Sequence, residues 1–180
     1  MTMKNNDRFM KIVSIPTPLY ESLLGQYFVG QTELITLKKG RNAWGSLSNP
    51  KYSNVDLFVN AFTITNYSKQ PILAEIWFNA IPPGDSMISK NVTPTNTAIY
   101  PPPNPDVKIE FAELVEGHPY KGVNAFKRIV PPQSTLVSDE DGKFIFPSGE
   151  SFVIFLVTQD NECIEAEIAF GWFEKMKKYH

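Results

Sequence analysis

The sequence predicts an all-β protein, an antiparallel β-sandwich or jelly roll with one short N-terminal helix. Three observations lead there. From Val55 to Ala80, two runs rich in β-branched and aromatic residues flank the polar turn Tyr67-Ser68-Lys69-Gln70-Pro71, and neither has helical spacing. That pattern reads as a long antiparallel hairpin. A second pair of the same design, Ser151–Val157 and Cys163–Phe173, closes the chain. Fifteen prolines and ten glycines suit many short strands broken by turns.

Taken in order, Met1 to Ile12 reads as a polar, mobile arm. Thr17 and Pro18 then start a short helix as cap and first residue, with Gly25 as its stop. Tyr27–Val29 and Glu33–Leu37 are expected strands, and Lys38 to Tyr52 reads as a polar loop that carries Trp44. In the next strand Phe58, Phe62 and Ile64 share one face and Leu57, Val59 and Ala61 the other. Apolar residues on both faces place it in the middle of a sheet. Its partner sets Ile72, Ala74, Ile76 and Phe78 against Leu73, Glu75, Trp77 and Asn79. Ile81-Pro82-Pro83-Gly84-Asp85 stops the sheet, because proline donates nothing to a ladder. A Thr-, Asn- and Pro-rich stretch follows to Pro105, with a short strand expected at Ala98–Tyr100.

Val107–Leu114 alternates as a one-sided strand. Strands are then expected at Phe126–Val130, Thr135–Val137, Lys143–Phe146 and Ser151–Val157, with Asp139-Glu140-Asp141-Gly142 and Pro147-Ser148-Gly149-Glu150 as turns. Residues 13–175 make one domain and residues 176–180 a tail. At 180 residues, with 42% hydrophobic and 13% aromatic side chains, the chain can bury one full core.

Chemistry is sparse. With 17 basic and 19 acidic residues there is no electrostatic footprint for nucleic acid or anionic lipid. The polar start and the lack of a long apolar run predict a cytoplasmic chain without signal peptide or membrane span, so the sequons at Asn66 and Asn91 read as chance. The single Cys163 reads as a strand thiol. Two histidines, His118 in a loop and His180 at the end, supply neither a cupin-type metal set nor a Ser-His-Asp triad. The acidic turn at Asp139 lacks the ligand alternation of a calcium loop. Glu165 and Glu167 share one strand face, which describes a solvated row better than an acid/base pair. No catalytic residue, cofactor or metal is expected, and an enzyme is the last class.

The aromatics remain. Trp77 and Trp172 read as core, while Trp44, Tyr100 and Tyr120 are the expected contact residues for a ligand or an interface. Pro101-Pro102-Pro103 would keep Tyr100 stiff.

Ser14-Ile15-Pro16-Thr17-Pro18-Leu19-Tyr20, Gly25-Gln26-Tyr27-Phe28-Val29-Gly30, Asn42-Ala43-Trp44, Leu73-Ala74-Glu75-Ile76-Trp77, Arg128-Ile129-Val130-Pro131-Pro132 and Ala169-Phe170-Gly171-Trp172-Phe173-Glu174 stand out together. In these segments the chain resembles an uncharacterised family of small proteins from endospore-forming Firmicutes. That family has no established activity or site residues to carry over. The strand ending Thr-Ile-Thr-Asn-Tyr-Ser is also similar to those of jelly-roll subunits of spore-surface fibres, although their N-terminal cysteines have no counterpart here. The expectation is a non-enzymatic structural protein whose partner is itself, cytoplasmic or deposited on or around the spore. A carbohydrate-binding module is the alternative.

Overall fold

A computed structural model describes residues 12–177. Among them one helix, α1 (Thr17–Leu23), precedes twelve strands. They are β1 (Tyr27–Gln31), β2 (Ile35–Leu37), β3 (Asn42–Ser48), β4 (Val55–Asn66), β5 (Ile72–Phe78), β6 (Met87–Ile88), β7 (Val92–Pro94), β8 (Lys108–Val115), β9 (Val123–Val130), β10 (Ser134–Phe146), β11 (Ser151–Val157) and β12 (Ile164–Met176). All pairings are antiparallel. One sheet runs β10-β4-β12-β1-β7 with β2 beside β12, and the other runs β6-β8-β3-β11-β5-β9.

Within these, β1-β12-β4-β10 lies opposite β3-β11-β5-β9, which is the eight-strand double sheet of a jelly roll. The segment between β5 and β9 adds β6, β7 and β8 at the far edges. An all-β sandwich is what the residue pattern predicts.

The two expected hairpins are corrected. β4 and β5 belong to different sheets, as do β11 and β12; instead β4 pairs with β12 and β5 with β11. Each connection is an arch from one sheet to the other. Asn66 shows what shapes the first arch. Its buried amide nitrogen lies 2.7, 3.2 and 3.1 Å from the carbonyls of Gln70, Val130 and Pro131, and its oxygen accepts from the Ser68 amide. Asn49 serves the β3–β4 connection in the same way, donating to Val55 O and Phe146 O. Arches leave both apolar faces free to meet across the core, where Phe62, Phe152, Trp172, Ile64 and Ile76 lie fully buried.

β4 is central, as its composition implies, but its two apolar faces have a different origin. Asn60 is an extra residue at register shifts against both neighbours. A bulge changes the phase of a strand. Val55, Leu57 and Val59 therefore face the core before it, and Phe62 and Ile64 after it. Phe58 lies on the outer face, stacked on Phe173 at 4.9 Å.

Opposite the same bulge, Asp139–Lys143 does not reverse the chain. It is an irregularity within one long strand, β10, both halves of which pair with β4. Lys38–Tyr52 contains a central strand, β3, in place of a loop. Ala98–Tyr100 is not a strand. α1 begins one residue early for a Thr17 cap: the carbonyl of Pro16 accepts the first helical bond from Tyr20. The arm and tail fall mainly on residues 1–11 and 178–180, outside the described residues, as does His180.

Candidate functional site

The three expected contact residues part company. Trp44 is corrected: it is only 2% exposed, on the outer face of β3. It forms a second small core there with Phe155, Val153, Ala112 and Val115. The β5–β6 and β8–β9 loops close over this cluster. The Trp44 indole donates to Pro83 O at 2.8 Å, Ile81 and Tyr120 bridge backbone to backbone, and the His118 ring lies 5.4 Å from Phe155. Buried Glu75 on the same face is satisfied by Lys127 at 2.6 Å and the Trp77 indole at 3.1 Å. Tyr120 is exposed on this strap, and Trp172 is core, whereas Trp77 is half-buried at the edge of the second cluster.

Tyr100 stands at a different place and is 93% exposed. Its segment packs against α1. Ser22 Oγ meets Thr95 Oγ1 at 2.8 Å, Thr95 N donates to Tyr27 O, and Ile99 and Pro103 close over Gly25. Glu174 of β12 holds the far end of the segment. Its carboxylate accepts from the Trp172 indole (3.0 Å) and from the amides of Asp106 (2.9 Å) and Val107 (3.1 Å). Burial pushes the Glu174 carboxyl above the ordinary glutamate range, and those three donors oppose the shift.

The folded state thus keeps the Glu174 proton where the unfolded chain has released it. Stability falls as pH rises from the unfolded to the folded value. Glu174→Gln, which keeps an oxygen for Trp172 and Val107, is expected to flatten that slope in chemical denaturation series between about pH 4 and 8. Glu174→Ala leaves buried amides unpartnered and is expected to cost about 3 kcal/mol.

α1 is inside out. Seven residues do not make a stable helix alone, so contacts must hold it. The holding group is polar: Glu21, 3% exposed, pairs with Lys175 Nζ at 2.8 Å. Lys175 also lies over the rings of Phe58 and Phe173. The apolar residues point outward. Leu19 is 49% and Leu23 58% exposed, and Tyr20, Leu24, Ile12, Val13 and Ile15 are exposed beside them. Tyr100, on the segment packed against α1, adds a further bare ring. Spacing could have found this surface, since Leu19, Tyr20, Leu23 and Leu24 follow a helical stripe.

Elsewhere the geometry offers less chemistry. A hollow of about 500 Å³ between the two arches, lined by residues 70–73, Ile129 and 157–161, has Asp160 as its one titratable group. A groove of similar volume across β7, β1, β12 and β4 has only Tyr27, whose phenol burial pushes up. Glu165 is exposed. Glu167 is engaged at both oxygens, by Gln31 Nε2 (2.6 Å) and the Tyr67 hydroxyl (2.8 Å), and this bond raises the Tyr67 phenol. Among the described residues no group of three His, Cys, Asp or Glu side chains is arranged to hold a metal ion, and no helix is long and apolar enough to cross a membrane. Cys163 is exposed.

A family model described as "Family of unknown function (DUF6143)" matches residues 1–178. No curated protein and no solved structure matches the chain.

Proposed function

We propose, for a chain that belongs to the family of unknown function DUF6143, a structural role: a jelly roll that associates with copies of itself through the apolar face of α1 and the adjoining Tyr100 segment. The observation that carries this reading is the inverted helix. An ordinary surface helix turns its leucines to the core and its carboxylates to water. Here the carboxylate of Glu21 is buried and the leucines are bare.

A second copy suits the surface on two counts. Clustered exposed leucines and tyrosines are the kind of apolar surface that marks a protein contact. The formal net charge of −2 gives identical chains little reason to repel. The stiff proline run beside Tyr100 lowers the ordering cost of contact. The resemblance to spore-surface subunits adds a finer expectation, that the assembly lies on or around a spore.

Leu19→Asp with Leu23→Asp is the test, read by size-exclusion chromatography with light scattering on the full chain. The mass of the assembly is expected to drop, with only a small change in melting temperature because neither side chain belongs to the buried core. An unchanged elution profile would remove this surface from the account.

A further inference from the structure

We propose that the uncharged half of β10, Ser134–Ser138, is a second self-association site that pairs edge to edge with the same strand of another copy. This rests on the self-assembly reading above and gives it a geometry. A sheet edge presents unpaired amides and carbonyls to any strand that can lie against it, and proteins blunt such edges with short strands, charges or inward-pointing charged residues.

Among the described residues five strands have a partner on one side only, and four of them are blunted: β2, for one, has three residues. β6 has two residues and β7 three. β9 carries Lys127 and Arg128 side by side, and Arg128 lies on the inward-facing row with its guanidinium 4.5 Å from the centre of the Phe126 ring. β10 is different. It has 13 residues, pairs on one side only among the described residues, and its first five residues, Ser-Thr-Leu-Val-Ser, carry no charge and no proline. Val137 is 69% exposed.

The segment is self-complementary. An antiparallel pair centred on Leu136 places Ser134 opposite Ser138 of the second copy and Thr135 opposite its Val137. No charge meets a like charge within those five residues. A strand added to an edge gains main-chain hydrogen bonds with matched side-chain pairs.

The two surfaces lie toward opposite edges of the first sheet. α1 contacts β1 and β12, toward the β7 edge, and β10 forms the opposite edge. Each contact relates two copies by a twofold axis. Two separate twofold contacts on one protomer build assemblies larger than a dimer, closed where the axes intersect and open where they do not, whereas either one alone stops at a dimer.

The experiment uses sedimentation velocity on the full chain and three double variants. Thr135→Lys with Val137→Lys puts four lysines across the proposed axis, and Thr135→Glu with Val137→Glu does the same with carboxylates. Both side chains lie on the outer row, so circular dichroism is expected to show an unchanged fold. Each variant alone is expected to stop at twice the monomer mass, and an equimolar mixture to regain the larger species of the wild type. Leu19→Asp with Leu23→Asp is expected to stop at the same doubled mass, now through β10.

Full wild-type assembly by the lysine variant alone would overturn the inference. So would failure of the mixture to restore large species. A monomeric Leu19→Asp/Leu23→Asp variant beside an assembling wild type would also overturn it, and would leave the α1 reading intact. A wild type that is itself monomeric would overturn both.

Discussion

Phe152→Ala is expected to produce the largest loss of stability of any single truncation, about 3–5 kcal/mol. Phe152 is fully buried on β11 and is the hub between the two sheets. Its ring centroid lies 5.5 Å from that of Phe62, 5.9 Å from Phe146, 6.0 Å from Phe78, 6.2 Å from Phe144 and 6.3 Å from Phe170. Those partners come from β4, β5, β10 and β12, so the void left by alanine touches both sheets at once. Strands held in ladders on every side do not collapse into such a space. For a domain of this size the melting midpoint is expected to fall by roughly 10–15 °C. Phe152→Leu, which refills most of the volume, is expected to recover more than half of that. Urea denaturation followed by fluorescence reads both. A loss below about 1 kcal/mol for the alanine variant would mean that the sheets do not meet at this ring.

Trp44→Ala is expected to cost nearly as much, about 3–5 kcal/mol. The indole fills the second cluster against Phe155 and Val153 and ties the β5–β6 loop through Pro83 O. Removal empties the cluster and frees the strap together. Hydrogen exchange is therefore expected to speed up over residues 81–87 and 115–121 more than in β4 or β12. Trp44→Phe separates the contributions: it keeps most of the packing and loses one hydrogen bond, worth about 1 kcal/mol. A fully stable Trp44→Ala protein would place this side chain in solvent and return it to the group of contact residues.

Much of the sandwich is legible in local pattern. The strict alternation of Ile164, Ala166 and Ile168 with Glu165 and Glu167 marks the two faces of β12, and Val107, Ile109 and Phe111 do the same for β8. Pairing partners are not local. A polar turn between two apolar runs looks the same in a hairpin and in an arch. What separates them here is the buried amide of Asn66 reaching Val130 and Pro131, which no window of the sequence displays.

β3 hides for another reason. Both its faces are covered, and the room on one side is so small that a Cβ on Gly45 would lie 2.9 Å from Thr32 and 3.1 Å from Ile168. Only Asn, Ala, Gly and Ser fit around its two large residues, and that composition resembles a loop. The bulge at Asn60 carries no sequence mark, yet it decides which side of β4 each later residue occupies.

The candidate surface is half legible. The exposure of Tyr100 accords with its place in a Thr-, Asn- and Pro-rich stretch without strand pattern. The outward turn of Leu19 and Leu23 depends on Lys175, at the opposite end of the chain, holding Glu21 inward.

Sedimentation velocity of the unmodified full chain across a hundredfold concentration range tests the central claim most directly. The account predicts a weight-average mass that rises with concentration through dimer to larger species. A single boundary at the mass of one 20.4 kDa chain at every concentration would contradict it.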